Sequence, residues 1–269
     1  MSHAPRPTLA AARSIILETL KQTSDALGKD VTRARGGLNQ TLWHAQQALG
    51  LVPHYFSAAG QDMLLASHIF PQQRGGTFVD IGCGDGATAS NSLYLEVFRQ
   101  WSGLLVDARE AAVLAAKDCR RSTVVQAAIG AAGQEGEFVS ASSSAGHAYG
   151  LAETLDKDWL ASLCSQFDYL ETREMVTTRS INDVLSEHQI GAIDFLAVNL
   201  AGGEVALVND LDFAKYQIRA ASIENARGDD ALSQAMESKG YALVDYFGTA
   251  EVFVDPDTQA KLVELMNDV

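Results

Sequence analysis

Apolar positions recur along this chain with two different periods, and the switches between them mark its elements. Residues 8–27 and 36–50 carry helical spacing, with Leu9, Ile16 and Leu20 on one side of the first stretch and Gly36-Gly37 dividing the two. A further helix is predicted over 57–70. Then Phe78 and Val79 lead into Asp80 as a short strand, closed by Gly82, Gly84 and Gly86 on alternate positions. Helical spacing returns over 87–100, with Leu93, Val97, Phe98 and Trp101 on one face. The run LLVD at 104–107 reads as a buried strand, 109–120 as an alanine-rich helix and 124–128 as a third strand. Strand, helix, strand, helix, strand predicts a parallel sheet with right-handed crossovers.

Downstream the signal is weaker, then strong again. Residues 137–142 suit a strand, whereas 143–158 read as a long irregular segment, the kind that serves as a lid. A short helix is expected over 180–187. The nearly continuous apolar run at 192–200 suits a central strand. A helix over 204–211, a strand over 218–224 and a helix over 229–239 follow. Residues 241–247 and 252–254 flank Gly248-Thr249 as an antiparallel hairpin, and 257–267 form a last amphipathic helix. The expected organisation is an amino-terminal helical extension over 1–52 and one α/β domain over 53–269.

The glycine stretch TFVDIGCGDG at 77–86 is where chemistry is expected. Its glycines allow a sharp turn and close approach of a ligand to bare backbone. Two ligand classes use such a turn: a dinucleotide with an anionic pyrophosphate, and S-adenosylmethionine (SAM), which carries an ammonium and a sulfonium. Gly82, Gly84 and Ala87 also satisfy the loose dinucleotide pattern. Asp80 favours the cationic ligand, since a carboxylate there repels pyrophosphate. Asp107 ends the second strand 21 positions after Gly86. An acid at that place accepts hydrogen bonds from ribose hydroxyls, which both ligands carry.

Charge and composition narrow the classes. The 269 residues are 47% hydrophobic, which excludes wholesale disorder, and the net charge is −14. Residues 1–50 hold six basic and three acidic side chains, so that segment is +3 and the remainder −17. An acidic body argues against nucleic-acid binding. Cys83, Cys119 and Cys164 lack metal-site spacing, so no metal centre is expected, and three free thiols suit a reducing compartment. No apolar run reaches membrane-spanning length, and Arg13 and Glu18 interrupt any leader-like core. A soluble cytoplasmic protein is expected, with self-association through the amino-terminal helices as one use of the extension.

Five segments together resemble the FkbM family of SAM-dependent methyltransferases. They are Gly60-Gln61-Asp62; the glycine loop; Ser90-Asn91 through Glu96 to Trp101-Ser102-Gly103-Leu104; IDFLAVNLAGGE at 193–204; and Ile223-Glu224-Asn225. The resemblance covers about residues 57–255. It implies a Rossmann-like class I methyltransferase fold, mostly parallel with a carboxyl-terminal antiparallel hairpin. The implied activity is methyl transfer from SAM to a hydroxyl of a glycan or small-molecule metabolite. Implied cofactor contacts are Asp80, Gly82, Cys83, Gly84, Asp85, Gly86, Asn91, Asp107 and Ala128. The candidate catalytic residues are His147 in the expected lid, Glu204, Glu224 and Asn199. One departure stands out: the family's Asp-Val-Glu-Gly is Asn199-Leu200-Ala201-Gly202 here. An amide and a methyl group replace two carboxylates, which leaves open a catalytically impaired relative that acts as a regulatory or assembly subunit.

Overall fold

The computed structural model describes residues 9–267; residues 1–8, including Arg6 of the basic segment, lie outside the described residues. Helices α1 (Leu9–Leu27) and α2 (Arg35–Ala48) form the extension. Gly36-Gly37 does not divide them: it lies in the first turn of α2, and the break falls at 28–34. Helix α3 (Gln61–Leu64) runs on as a π-turn through Ile69. The α/β body then follows: β1 (Thr77–Ile81), α4 (Leu93–Arg99), β2 (Ser102–Asp107), α5 (Glu110–Cys119), β3 (Thr123–Gln126) and the short β4 (Ala128–Ile129). Next come β5 (Glu135–Ser143), β6 (Gly146–Leu151), α6 (Lys157–Cys164), β7 (Leu170–Arg179) and α7 (Ile181–Glu187). The chain ends with β8 (Phe195–Val198), α8 (Glu204–Asp210), α9 (Phe213–Tyr216), β9 (Ala220–Glu224), α10 (Ala231–Ser238), β10 (Ala242–Phe247), β11 (Ala250–Val254) and α11 (Pro256–Asn267).

Seven strands form the main sheet in the order β3-β2-β1-β8-β9-β11-β10. Strands β1, β2, β3, β8 and β9 are mutually parallel, and β11 inserts antiparallel between β9 and β10. This is the strand order of the Rossmann-like methyltransferase fold. Period-two alternation sends Val79 and Ile81 to one face, with α7, α8 and α10, and Phe78 to the other, with Leu65, Leu95 and Val113. Strand β1 sits between β2 and β8, so its carboxyl end opens where the strand order reverses. That is where open α/β sheets bind ligands.

Three expectations are corrected. The segment 143–158 is not irregular: β6 pairs antiparallel with β5 from Ser143↔Gly146 to Phe138↔Leu151. A second sheet, β4-β7-β5-β6, stands beside the first, and α6 is capped by the Asp156 side chain, which accepts from Trp159 N–H. Small residues hid β6, because Ala148 and Gly150 give its buried face almost no apolar bulk. The helix expected from residue 87 begins only at Leu93. Asp85 takes the amides of Ala87 and Thr88, and Ser90 takes those of Ser92 and Leu93, so side chains compete with the helical ladder over 87–92. Consequently Leu93, Leu95 and Trp101 are buried while Val97 and Phe98 remain exposed.

The extension packs on the carboxyl-terminal hairpin. Arg35 forks Asp245 with two 2.7 Å bonds, Asn39 donates to the Tyr246 carbonyl at 2.7 Å, and Gly248 N–H donates to the Gly36 carbonyl at 2.9 Å. Arg33 reaches the fully buried Glu251 on β11, which also accepts from Asn225 and Ser233.

Candidate active site

The carboxyl ends of β1, β2, β8 and β9 open into a cleft of about 1110 Å³, roofed by β6 and by residues 154–156. All thirteen residues singled out from the sequence line it except Gly86.

The glycine turn forms one half. Gly82 has φ +76°, and a Cβ there would stand 1.8 Å from the Asn199 carbonyl oxygen, so β1 and β8 close on it only because it is glycine. Four of the five turn amides have protein acceptors. Gly82 and Cys83 donate to the Val106 carbonyl, Gly86 to the Cys83 carbonyl, and Gly84 to Asp107. Asp85 accepts from Ala87 and Thr88 and so braces the turn. Burial, reinforced by Asp80 and Asp107, pushes the Cys83 thiol well above its ordinary range, so it does not act as a thiolate.

Asp80 is 6% exposed and accepts a 2.5 Å hydrogen bond from the Ser92 hydroxyl. Behind it the buried Arg120 holds Ser92 Oγ at 3.0 Å and the Gly86 carbonyl at 2.8 Å, and pairs with Glu96. Burial raises the Asp80 pKa and outweighs the opposing pull of Ser92 and Arg120. Asn91, also lining the cleft, has a buried Oδ1 with no hydrogen-bond donor. Asp107 accepts from Gly84 N–H and from Arg109, and Ala128 lies buried at the start of β4.

The other half holds the catalytic candidates. Glu204 is buried, with Oε1 accepting from Leu200 N–H and Oε2 from Gly202 N–H, both at 2.9 Å. Burial raises its pKa against the pull of those amides. Both oxygens are thus committed to the turn after β8. Gly202 lies so close beneath the roof that a Cβ would stand 2.0 Å from the Thr154 carbonyl oxygen. Glu224 ends β9 and accepts from the Thr249 hydroxyl through Oε1. Its other oxygen has no hydrogen bond among the described residues. Burial raises its pKa, Thr249 opposes, and Glu204 adds to the rise. Asn199 is exposed at the end of β8. His147 is exposed on β6 and stacks on Tyr149, with ring centroids 5.0 Å apart and planes 19° apart.

Three lining residues escaped the sequence reading. Ser222, 2% exposed on β9, has an unpartnered hydroxyl; its signal was a lone polar residue in the apolar run AASIE. Arg109 and Tyr149 gave no such signal, because their meeting depends on the second sheet. Among the described residues no group of three or more His, Cys, Asp or Glu is arranged to hold a metal, and no helix is long and apolar enough to cross a membrane.

The profile described as the methyltransferase FkbM domain matches residues 80–243. No curated protein sequence matches the chain. Among solved structures, it is similar to a human methyltransferase 10 domain containing protein: 14% identity, 93% of this chain and 99% of that chain covered, TM-score 0.36. A METTL16 methyltransferase domain is 12% identical over 92% of this chain and 82% of that one, with a TM-score of 0.33. A mutant of MtNAS is 9% identical over 92% and 75%, with a TM-score of 0.37. The fold assignment rests on the strand order and the family match, not on these distant likenesses.

Proposed function

This chain belongs to the FkbM methyltransferase domain family, and on that premise we propose that it moves a methyl group from SAM to a hydroxyl of a small polyol or glycan. The observation that carries the donor is a cleft lined by both Asp80 and Asn91, in which the Asn91 Oδ1 is buried without a donor and the neighbouring Ser92 is the hydrogen-bond partner of Asp80. A buried acceptor without a partner costs about 1–3 kcal/mol. An ammonium group brings the N–H donors this corner lacks and the charge that Asp80 complements. Asp107 lies across the turn, where ribose hydroxyls meet a strand-end acid. Pyrophosphate fits badly. All but one of the turn amides that would cradle it go to protein acceptors, and the next helix begins seven residues after Gly86 rather than at the turn.

SAM, when bound, supplies an activated methyl group. The chain's own residues then align the partners and move one proton. Alignment of this kind lowers barriers by about 7–11 kcal/mol. Glu224 keeps one oxygen uncommitted, and its raised pKa makes it a better proton acceptor than an ordinary carboxylate. Glu204 holds the turn rather than a proton. Around the acceptor mouth Glu153, Asp156, Asp158 and Asp229 outnumber Lys157 and Arg227. That acidic rim disfavours phosphorylated acceptors and suits uncharged hydroxyl compounds.

Transfer of labelled methyl from SAM across a panel of neutral polyols and glycans tests this. Turnover is expected, and Glu224→Gln should lower it about 10²–10⁴-fold while SAM still binds. Absence of turnover with every acceptor, in protein that binds SAM, points to the non-catalytic reading. That second reading is favoured by Asn199 and Ala201, which offer no carboxylate at the mouth. Activity gained only in Asn199→Asp/Ala201→Glu would establish it.

A further inference from the structure

Asp107 has no lone pair to spare. Its Oδ1 accepts from Arg109 N–H at 2.9 Å and Arg109 Nε at 3.0 Å. Its Oδ2 accepts from Gly84 N–H at 2.9 Å and Arg109 Nη2 at 3.0 Å. A carboxylate offers about four acceptor sites, so every one is filled. Arg109 also lies over the Tyr149 ring, with its guanidinium carbon 3.7 Å from the ring centroid. Its Nη2 stands 3.9 Å from where a Gly84 Cβ would be. A slot walled by Asp107, the glycine turn and the β6 roof is therefore filled by a planar, delocalised group of the chain's own. A guanidinium satisfies a carboxylate with a fork and an aromatic face by stacking, as a nucleoside does with its hydroxyls and its base.

We propose that Arg109 is an intramolecular occupant of the nucleoside slot, and that Tyr149 is the face against which the nucleoside packs once Arg109 withdraws. This deepens the proposed function and rests on its reading of Asp107 as the ribose-binding acid. Two ribose hydroxyls need the same lone pairs the fork now uses, so donor uptake is an exchange rather than an addition. The main-chain amides of Gly84 and Arg109 stay in place; only the side-chain fork gives way. Donor affinity is thereby held below what the slot itself would give. Arg109 and Tyr149, though in contact, act on it with opposite sign.

Titration calorimetry of SAM and of adenosine against the wild-type chain, Arg109→Met, Arg109→Lys, Tyr149→Leu and Asp107→Asn tests this. Arg109→Met should tighten both ligands about tenfold. Arg109→Lys, which keeps charge but loses the planar fork, should fall between it and wild type. Tyr149→Leu should weaken both about tenfold. Thermal melts without ligand identify any variant that fails to fold, and Arg109→Lys serves if Arg109→Met does. Unchanged or weaker binding in both Arg109 variants, with Asp107→Asn weakened, overturns the occupant while leaving the ribose acid in place. Unchanged binding in Asp107→Asn, or no binding of either ligand by any form, overturns the nucleoside reading and the occupant with it.

Discussion

The two halves of the cleft treat their carboxylates differently. In the donor half Asp80 lines the cleft, as does Asn91, whose buried Oδ1 nothing satisfies. In the acceptor half Glu204 spends both oxygens on the turn amides of Leu200 and Gly202. Asp80 and Glu204 thus serve opposite ends: one keeps hydrogen-bonding capacity for a ligand, the other uses its oxygens to hold its own backbone. Glu224 lies between the two cases, with one oxygen on Thr249 and one uncommitted. A buried acid with a raised pKa is thus the stronger candidate for chemistry where one of its oxygens carries no hydrogen bond.

Substitutions test this contrast. Gly82→Ala should do most damage, because its Cβ would meet the Asn199 carbonyl at 1.8 Å in a left-handed backbone conformation. A loss on the order of 3 kcal/mol in urea denaturation is expected, and it should strike both halves since the turn after β1 packs against the end of β8. Glu204→Gln should cost about 1–3 kcal/mol by leaving one turn amide facing an amide donor, with SAM affinity unchanged. If SAM affinity fell in step with stability, the separation between the halves would be lost.

Asp80→Asn should have the reverse effect on the free protein. A carboxyl whose folded pKa is raised contributes stability fully below the ordinary carboxylate value of about 4, and loses it as pH rises through the folded value. At neutral pH Asp80 therefore opposes folding, and Asn should raise the melting temperature by about 2–4 °C, as ~1 kcal/mol does at this chain length. The gain should vanish as pH falls toward 4. The smallest effect is expected from Thr249→Val, about 0.5–1.5 kcal/mol in stability. Thr249 pulls the Glu224 pKa down, so its loss should move the acid limb of the pH–rate profile to higher pH.

The glycine turn and its two strand-end acids are legible in the sequence because they lie close together along the chain. Alternate glycines, a strand-end acid before them and a second acid 21 positions on are local features with stereochemical reasons. The main sheet was legible for the same reason, through apolar runs bounded by glycine. The roof was not. Strand β6 buries only the small Ala148 and Gly150 and leaves His147 and Tyr149 accessible, a pattern with little hydrophobic contrast. Strand β7 exposes Leu170 and Met175, so alternation fails there too. The start of α4 was misplaced because Asp85 and Ser90 bond locally, and helical spacing does not register that competition. Glu204 looked catalytic because its spacing matched a family motif, while its partners are backbone amides that no sequence pattern displays.

The central claim is that an acidic, amide-depleted turn holds a cationic nucleoside. Calorimetric titration of SAM into the wild-type chain and into Asp80→Asn at neutral pH tests it most directly. Saturable one-to-one binding that weakens at least tenfold in Asp80→Asn, although that variant melts higher, is the predicted result. Equal affinity in the two proteins would contradict it.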